Sequence, residues 1–167
     1  PALLRNGEVC IPAEMARRIA ALVPRRTKKI DPLVLRDPPV QKWFRVVIDA
    51  GHGGTHTGGQ GGGMMEKEIN LDVSLRLGLA LEKMGGVVTQ TRMRDRHFDS
   101  DVHADLQHRV DVVNRKKPDL FLSIHANYVP NESAKGFEFW IRKGDRECRR
   151  LGDSIRKEFV SVFSTPD

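Results

Sequence analysis

The sequence has few of the residues that define several large classes of protein. Aromatic residues make up 6% of its 167 residues, too few for the interleaved basic and aromatic surface that is typical of nucleic-acid binding. The two cysteines, Cys10 and Cys148, cannot form a Cys-rich zinc site, and whether they pair in a disulfide stays open. No apolar run reaches the roughly 20 residues that cross a bilayer.

The composition that is present indicates a soluble globular chain. Hydrophobic residues make up 39% and charged residues 30%, the balance of an ordinary folded domain. The net charge is +6, but Lys and Arg are spread along the chain beside acidic residues, so we interpret them as a solvated surface. No signal peptide is recognisable. The chain begins with Pro1 rather than Met, which predicts a processed product or a fragment.

Residues 1–40 differ in composition from the rest of the chain. Pro24, Pro32, Pro38 and Pro39 are too dense for regular structure and predict a linker, an extended arm or the tail of an upstream domain. We therefore place a boundary near Pro39, with a second unit over residues 41–167.

From Trp43 onward, apolar runs alternate with helical patterns. Strands alternating with helices predict an α/β fold with a largely parallel central sheet flanked by helices on both faces. The first long helix is predicted to bury an apolar stripe, and the second a core face of Leu106, Val110 and Val113. The predicted strands are 45–50, 86–91, 119–127 and 136–142, and the predicted helices are 66–86, a helix ending at Pro118, and 145–163; the stripe is Ile69, Val73, Leu77, Ala80, Leu81 and Met84.

Three residues form a candidate metal site. His52 and His125 each follow a predicted strand, and functional groups gather at the carboxyl ends of strands in open α/β sheets. Glu66 opens the first long helix, where a carboxylate is also favoured by the helix dipole. Two imidazoles and one carboxylate form a recognised catalytic zinc set. On spacing alone, each residue also has an explanation without a metal. His52 can be a polar loop residue, His125 a strand-end histidine bonded to the backbone, and Glu66 a helix cap.

The ordered blocks VVIDAGHGG, MEKEINL, TRMRD, LQHRVDVVN, DLFLSIHAN and SAKGFEFW resemble those of the zinc-dependent N-acetylmuramoyl-L-alanine amidases (amidase type 3). The resemblance covers roughly residues 45–163. It implies a phosphorylase/hydrolase-like fold and one zinc ion bound by His52, Glu66 and His125. It also implies cleavage of the amide between N-acetylmuramic acid and L-alanine in peptidoglycan, outside the cytoplasm (periplasmic or secreted). We expect the chain to be a monomer.

The resemblance also assigns expectations to neighbouring residues. Four residues match its hydrogen-bonding blocks and are expected to be structural, namely Arg92, Asp95, Arg109 and Asn114. Glu68 should point away from the metal because it lies two residues after Glu66. His56 is a candidate for substrate contact, whereas the remaining histidines are expected to be solvated, namely His97, His103 and His108.

Two features depart from the family pattern. The family uses a further glutamate as general base near the end of the domain, and the later glutamates of this chain lack its setting, namely Glu132, Glu138, Glu147 and Glu158. We expect that glutamate, with the last strand and helix, beyond Asp167, unless the protein is a naturally short variant of the family. The stretch after Asn127 leaves no room for a blocking helix, which predicts an open site. Two alternatives are a non-catalytic peptidoglycan-binding module with a degenerate zinc site and a zinc carboxypeptidase on a similar scaffold.

Overall fold

The structure is a computed structural model that describes residues 44–127 and 136–163. Five strands and three helices lie in these ranges. In chain order they are β1 (Arg45–Ala50), β2 (Gln60–Gly61), β3 (Met64–Met65), α1 (Glu66–Lys83), β4 (Val87–Gln90), α2 (Val102–Lys116), β5 (Leu120–Ile124) and α3 (Arg146–Phe163).

The central sheet contains three parallel strands in the order β4-β1-β5. In its register Ile48 lies beside Gln90 on one side and Leu122 on the other. β1 is apolar along most of its length because it is covered on both faces, the pattern of a central parallel strand. Val46 and Val47 are 1% exposed and Ile48 is fully buried. The predicted α/β fold with a parallel sheet is confirmed.

Helices α1 and α2 contact the sheet through polar residues. On one face, the Gln90 side chain donates a hydrogen bond to the Ser74 carbonyl of α1 at 2.8 Å. On the other, Arg109 of α2 forms an ion pair of 2.8 Å with Asp49 of β1. Asp49 and Gln90 belong to opposite faces because Ile48, the register partner of Gln90, precedes Asp49 in the strand.

The buried face of α1 is composed of small and polar residues rather than the predicted apolar stripe. Asn70 and Ser74 are fully buried, and Gly78 is buried with them. A Cβ on Gly78 would lie 2.4 Å from the Gln90 amide nitrogen, so glycine permits the close approach of helix and sheet. The predicted stripe lies on the flanks of this face: Ile69, Val73, Leu77 and Leu81 are half-buried, and Ala80 and Met84 are exposed.

The predicted core face of α2 is wrong. Leu106 is 49% exposed and Val110 is 48% exposed, and Val113 is half-buried. The helix instead buries Asp105 and Arg109, which are 3% and 5% exposed. The physical reason is Asp49, a buried carboxylate on β1 that requires a cation and therefore turns the charged side of α2 inward.

The predicted strand over residues 136–142 is also absent from the described part of the chain. This segment has no ladder partner there, and a strand exists only through its pairing. Its aromatic residues pack on α3 instead. The centroids of the Phe137 and Phe139 rings lie 5.2 Å and 6.1 Å from that of the Phe159 ring, with interplanar angles of 62° and 84°.

Several expectations concern residues outside the described ranges. The boundary near Pro39 therefore stays a prediction, as does the open site expected from the stretch after Asn127. Whether Cys10 pairs with Cys148 stays open. No helix in the part of the chain that the structure describes has the length and apolar character of a membrane span.

Substitutions at two adjacent positions of α2 test the corrected face. We expect Asp105→Ala to lower the free energy of unfolding by roughly 2–4 kcal/mol, because it leaves the buried Arg109 with one carboxylate fewer. Leu106→Ala should cost less than about 1 kcal/mol because half of that side chain is already in water. Urea denaturation measures both values. A larger loss of unfolding free energy in Leu106→Ala than in Asp105→Ala would contradict the corrected face and support the one predicted from periodicity.

The same carboxylate predicts a dependence of stability on pH. Burial raises the pKa of Asp105, but hydrogen bonds from the Phe98 N–H and the Arg109 guanidinium outweigh it and hold the pKa below its usual value. Its stabilising effect is therefore present above the unfolded pKa of about 3.9 and lost as the pH falls through the folded pKa. The stability gap between wild type and Asp105→Asn should be constant from pH 5 to 8 and shrink below about pH 4. A gap that stays constant down to pH 3 contradicts this account.

Candidate metal centre

The first histidine lies in the loop that follows β1. His52 has a φ of 61°, a left-handed conformation that costs a non-glycine residue about 1–2 kcal/mol. Such strain persists where surrounding contacts over-determine the backbone. Two buried arginines supply those contacts.

Arg92 holds the end of β1 against the start of α1. It is 1% exposed, and its guanidinium donates to the carbonyls of Ala50 at 2.8 Å, Gly51 at 2.9 Å and Lys67 at 2.7 Å. A guanidinium has several donors in a fixed plane, which suits this convergence of carbonyls. The expected structural role of Arg92 is confirmed.

Arg109 holds the next residues of the same loop. It donates to the carbonyls of Ala50 and His52, each at 2.9 Å. Its remaining bonds are to Asp49 and Asp105, each at 2.8 Å. Although burial lowers the pKa of Arg109, the two carboxylates raise it above its usual value. The cation is therefore permanent, and its structural role is confirmed.

Glu66 is the first residue of α1 and lies at the centre of the site. It is 5% exposed. Its Oε2 accepts from the Gly59 N–H at 2.7 Å, and its Oε1 accepts from the Ala126 N–H at 3.1 Å. Burial alone raises the pKa of Glu66, but contacts with His125, His52 and Gly59 outweigh it and hold the pKa far below the usual range. The carboxylate is therefore ionised.

Both strand-end histidines contact the same oxygen of this carboxylate. His125 Nδ1 lies 3.0 Å from Glu66 Oε1, and His52 Nε2 lies 3.3 Å from it. The two imidazole rings are 4.9 Å apart and nearly perpendicular. His125 is buried, whereas the His52 side chain is 27% exposed. The residues predicted from strand ends and the helix start thus meet, and the cluster is partly exposed at the His52 side chain.

The geometry fits a zinc ion. One ligand atom from each of the three residues lies within 4.8 Å of the others. Ligands around a tetrahedral zinc at roughly 2.0–2.1 Å are about 3.4 Å apart, close to the two histidine–carboxylate distances. An ionised, buried carboxylate between two imidazoles also favours a cation. Within the described residues, this is the cluster of metal-ligating side chains that meets these distances.

Glycine is required at two positions in the loop around the site. A Cβ on Gly51 would lie 2.2 Å from the His125 imidazole. A Cβ on Gly58 would lie 2.6 Å from both Glu66 Oε2 and His52 Cδ2. Gly58 also has a φ of 67°. The glycine pattern of the loop therefore reflects close approach to the ligands at these two positions.

Two residues that position the site were missed in the sequence. Lys67 donates through Nζ to the Gly54 carbonyl at 2.8 Å and to Asp95 at 2.7 Å. Asp95 in turn accepts from the Gly54 N–H at 2.7 Å, which confirms its structural role. Asn70 donates to the Gly51 carbonyl at 3.1 Å. Its spacing of four residues from Glu66 places both on one helix face, a signal that the sequence contains.

The remaining histidines are not part of the cluster of His52, Glu66 and His125. His56 Nε2 donates to the Ser100 carbonyl at 3.0 Å. His97 is half-buried, and its Nδ1 accepts from the Thr55 N–H at 3.1 Å, so its expected solvation is wrong. That contact ties the glycine loop to the segment after β4. His103 and His108 are exposed, as expected.

The expectations for Glu68, Asn114 and Glu138 have different outcomes. Glu68 is exposed and accepts from the Met65 N–H at 3.1 Å, so it caps α1 and points away from the metal ligands, as expected. Asn114 is exposed on α2 rather than held in a buried network like Arg109. Glu138 is 8% exposed, and its Oε2 has no hydrogen-bond partner within the described part of the chain.

The fold and the site together define an α/β protein with a His-Glu-His centre at the carboxyl edge of a parallel sheet. A model of the N-acetylmuramoyl-L-alanine amidase family matches residues 46–167. The chain therefore belongs to the N-acetylmuramoyl-L-alanine amidase family.

Individual relatives agree with this assignment. N-acetylmuramoyl-L-alanine amidase LytC of Bacillus subtilis (strain 168) is 32% identical over 80% of this chain and 26% of its own length. The germination-specific amidase of that organism is 28% identical over 70% of this chain and 54% of its own length. Among solved structures, the CwlD amidase of Clostridioides difficile, solved in complex with the GerS lipoprotein, has a TM-score of 0.66 at 26% identity, covering 71% of this chain and 66% of that chain. The chain thus spans about half or less of these curated relatives.

Alanine at two glycines tests the close packing around the ligands. Gly58 and Gly63 both have positive φ, 67° and 76°, so both substitutions carry a similar backbone cost of about 1–2 kcal/mol. Only the Cβ at Gly58 meets Glu66 and His52, whereas that at Gly63 meets nothing within 4 Å. We expect Gly58→Ala to weaken zinc binding by about 10-fold or more and Gly63→Ala to leave it within about 3-fold. Competition with a fluorescent chelator measures both. Equal losses of zinc affinity in the two variants would mean that the positive φ alone, and not the contact with Glu66 and His52, requires glycine at position 58.

Proposed function

We propose that His52, Glu66 and His125 bind one zinc ion and that this centre hydrolyses the amide between N-acetylmuramic acid and L-alanine in peptidoglycan. The observation that carries the proposal is the contact of both imidazoles with one buried, ionised carboxylate. Two histidines and one glutamate form the ligand set of catalytic zinc sites that keep a position open. Membership of the amidase family supports the choice of substrate.

The residues of the chain have separable roles in this proposal. When bound, zinc supplies Lewis-acid polarisation of a carbonyl and lowers the pKa of water. Glu66 compensates the metal charge, and its Oε1 is fixed by the Ala126 N–H. His52 lies on the solvent-accessible side of the site, where substrate approaches. Arg92 and Arg109 fix the backbone carbonyls of the loop that carries His52, so that its imidazole needs no rearrangement on binding.

The proposed location and binding partner of the protein follow from its substrate. Peptidoglycan lies outside the cytoplasmic membrane, so we propose a periplasmic or secreted location and peptidoglycan as the partner, with the chain acting as a monomer. The general-base glutamate that the resemblance implies stays a prediction. General-base assistance is typically worth ~10²–10⁴-fold in rate, so loss of that glutamate should slow the reaction by about that factor.

Product analysis on purified muropeptides tests the proposal. Incubation with the zinc-loaded chain should release stem peptides with a free L-alanine amino terminus, detected by mass spectrometry, because the amide at L-alanine is the bond attacked. Removal of zinc by a chelator should abolish release, and added zinc should restore it. Trimming of C-terminal residues would instead support the carboxypeptidase. Binding of peptidoglycan by the full-length protein without any product would support the non-catalytic module.

Two glutamates of α1 provide a matched pair of variants. Glu66→Gln should lower zinc content and product release at least ~100-fold, because it removes the charged ligand. Glu68→Gln is the control because this exposed residue only caps the helix, and it should retain zinc and activity within about 2-fold. Retention of zinc and turnover by Glu66→Gln would contradict the assigned ligand set.

A further inference from the structure

The side of α1 that faces away from the sheet carries a groove. The groove has about 520 Å³ of free space, including the part that is open to solvent. Half-buried leucines form its floor, and exposed carboxylates form its rim. The complete lining is Lys67, Glu68, Leu71, Asp72, Leu75 and Asp95.

The apolar floor continues along α1 beyond the groove. Leu75 and Leu79 are four residues apart, so their side chains are neighbours on the helix surface. Leu79 is 60% exposed, although burial of a leucine side chain is favourable. Leu71, Leu75 and Leu79 therefore form a leucine stripe that the described residues leave partly uncovered.

The groove is acidic, because three carboxylates line it against one ammonium. That ammonium is already bound, since Lys67 Nζ donates to Asp95 at 2.7 Å and to a backbone carbonyl. Asp72 pairs with Arg76 at 2.9 Å, but both side chains are about half exposed, and a pair of this kind contributes little. Charge complementarity thus favours an occupant with apolar side chains and positive charge.

The other exposed apolar helix faces in the described ranges have the opposite charge. On α2, Leu106 and Val110 are about half exposed, and the last turn of that helix is basic. On α3, Leu151 and Val160 are exposed, and the helix carries five basic residues against three acidic ones. A basic partner is therefore expected to prefer α1.

The chain itself contains a segment of this chemistry. Residues 13–29 have the sequence AEMARRIAALVPRRTKK and lie outside both the described ranges and the family match at 46–167. Met15, Ile19 and Leu22 have helical spacing, and the segment has six basic residues and one acidic residue. A helix of this length is marginal alone in water, so it requires an apolar surface to contact.

The described chain begins next to α1, which places the segment within reach. A Cβ on Gly86, just after the helix, would lie 2.9 Å from the Phe44 ring. The helix has 18 residues and is about 27 Å long. Residues 24–43 span up to roughly 60 Å when extended. The tether is therefore long enough for the segment to reach the whole leucine stripe.

We propose that the segment 13–29 docks on the groove and the leucine stripe of α1 within the same chain. Its apolar side chains contact the stripe, and its arginines lie at the carboxylates of the rim. The tether provides an effective concentration on the order of millimolar, so a weak contact is enough. The docked segment covers the Lys67–Asp95 pair, which fixes Gly54 near the metal site. This inference is independent of the proposed function.

Hydrogen exchange of the full 167-residue chain, followed by mass spectrometry, tests the docking. Peptides that cover residues 13–23 should exchange about 10-fold or more slowly than an unstructured chain, because a docked helix exchanges only when it opens. The protection should not depend on protein concentration, because the contact lies within one chain. Absence of protection would overturn the proposal. Protection that rises with concentration would also overturn it and would assign the groove to a second copy of the chain.

Two exposed leucines provide the variant and its matched control. Leu79→Lys adds a positive charge to the leucine stripe and should lower the protection of residues 13–23 to less than about 2-fold. Leu106→Lys makes the same change on α2, where the leucine is 49% exposed, and should leave the protection as in wild type.

A change in the segment provides a second variant. Ile19→Lys should remove the protection to the same extent as Leu79→Lys, because it removes the opposite side of the contact. Unchanged exchange of the β1 amides shows that each variant is folded. Protection that survives Leu79→Lys or Ile19→Lys, or that Leu106→Lys removes, would overturn the docking on α1 and leave the amidase proposal intact.

Discussion

The Glu66 carboxylate is buried, charged and in contact with two imidazoles, and the geometry around it depends on keeping that charge satisfied. Burying an unpaired carboxylate is costly. The chain compensates with the N–H groups of Gly59 and Ala126 and with the rings of His52 and His125. These donors come from the loop, the β5 end and the β1 end. The charge of one residue thus draws three segments to the same edge of the sheet.

A second network of buried charged residues holds the loop that carries His52. Asp49 on β1 accepts from Arg109 at 2.8 Å and from Thr91 at 2.6 Å. Through Arg109 this network reaches the His52 carbonyl, and the strained φ of His52 is maintained there. The fold therefore uses buried ion pairs where an apolar interface between helix and sheet would ordinarily lie. Breaking such a pair is expensive because it leaves an uncompensated charge. The stability of the sheet is therefore linked to the position of His52, a proposed metal ligand.

Much of this arrangement was predictable from the sequence, and the failures have a common cause. The strand-end histidines and the helix-start glutamate follow from the rule that side chains gather at the carboxyl ends of parallel strands. The α2 face was wrong because hydrophobic periodicity ranks Leu106 and Val110 above Asp105 and Arg109, and periodicity contains no information about Asp49 on a distant strand. The prediction of a strand over 136–142 was wrong because alternation of apolar and polar residues indicates an extended segment but does not show which strand would pair with it. Buried charges and pairing are long-range properties, so local patterns miss them.

The central claim is that two imidazoles and one carboxylate of this chain bind a single zinc ion. X-ray absorption at the zinc edge, on protein loaded with one equivalent, tests it most directly. If these residues bind the ion, zinc should have a four-coordinate shell of nitrogen and oxygen at about 2.0–2.1 Å, with the outer-shell scattering of two imidazoles and no sulfur. The His125→Ala variant should lose one imidazole from that shell. A shell containing sulfur, or one with two imidazoles still present in that variant, would contradict the account.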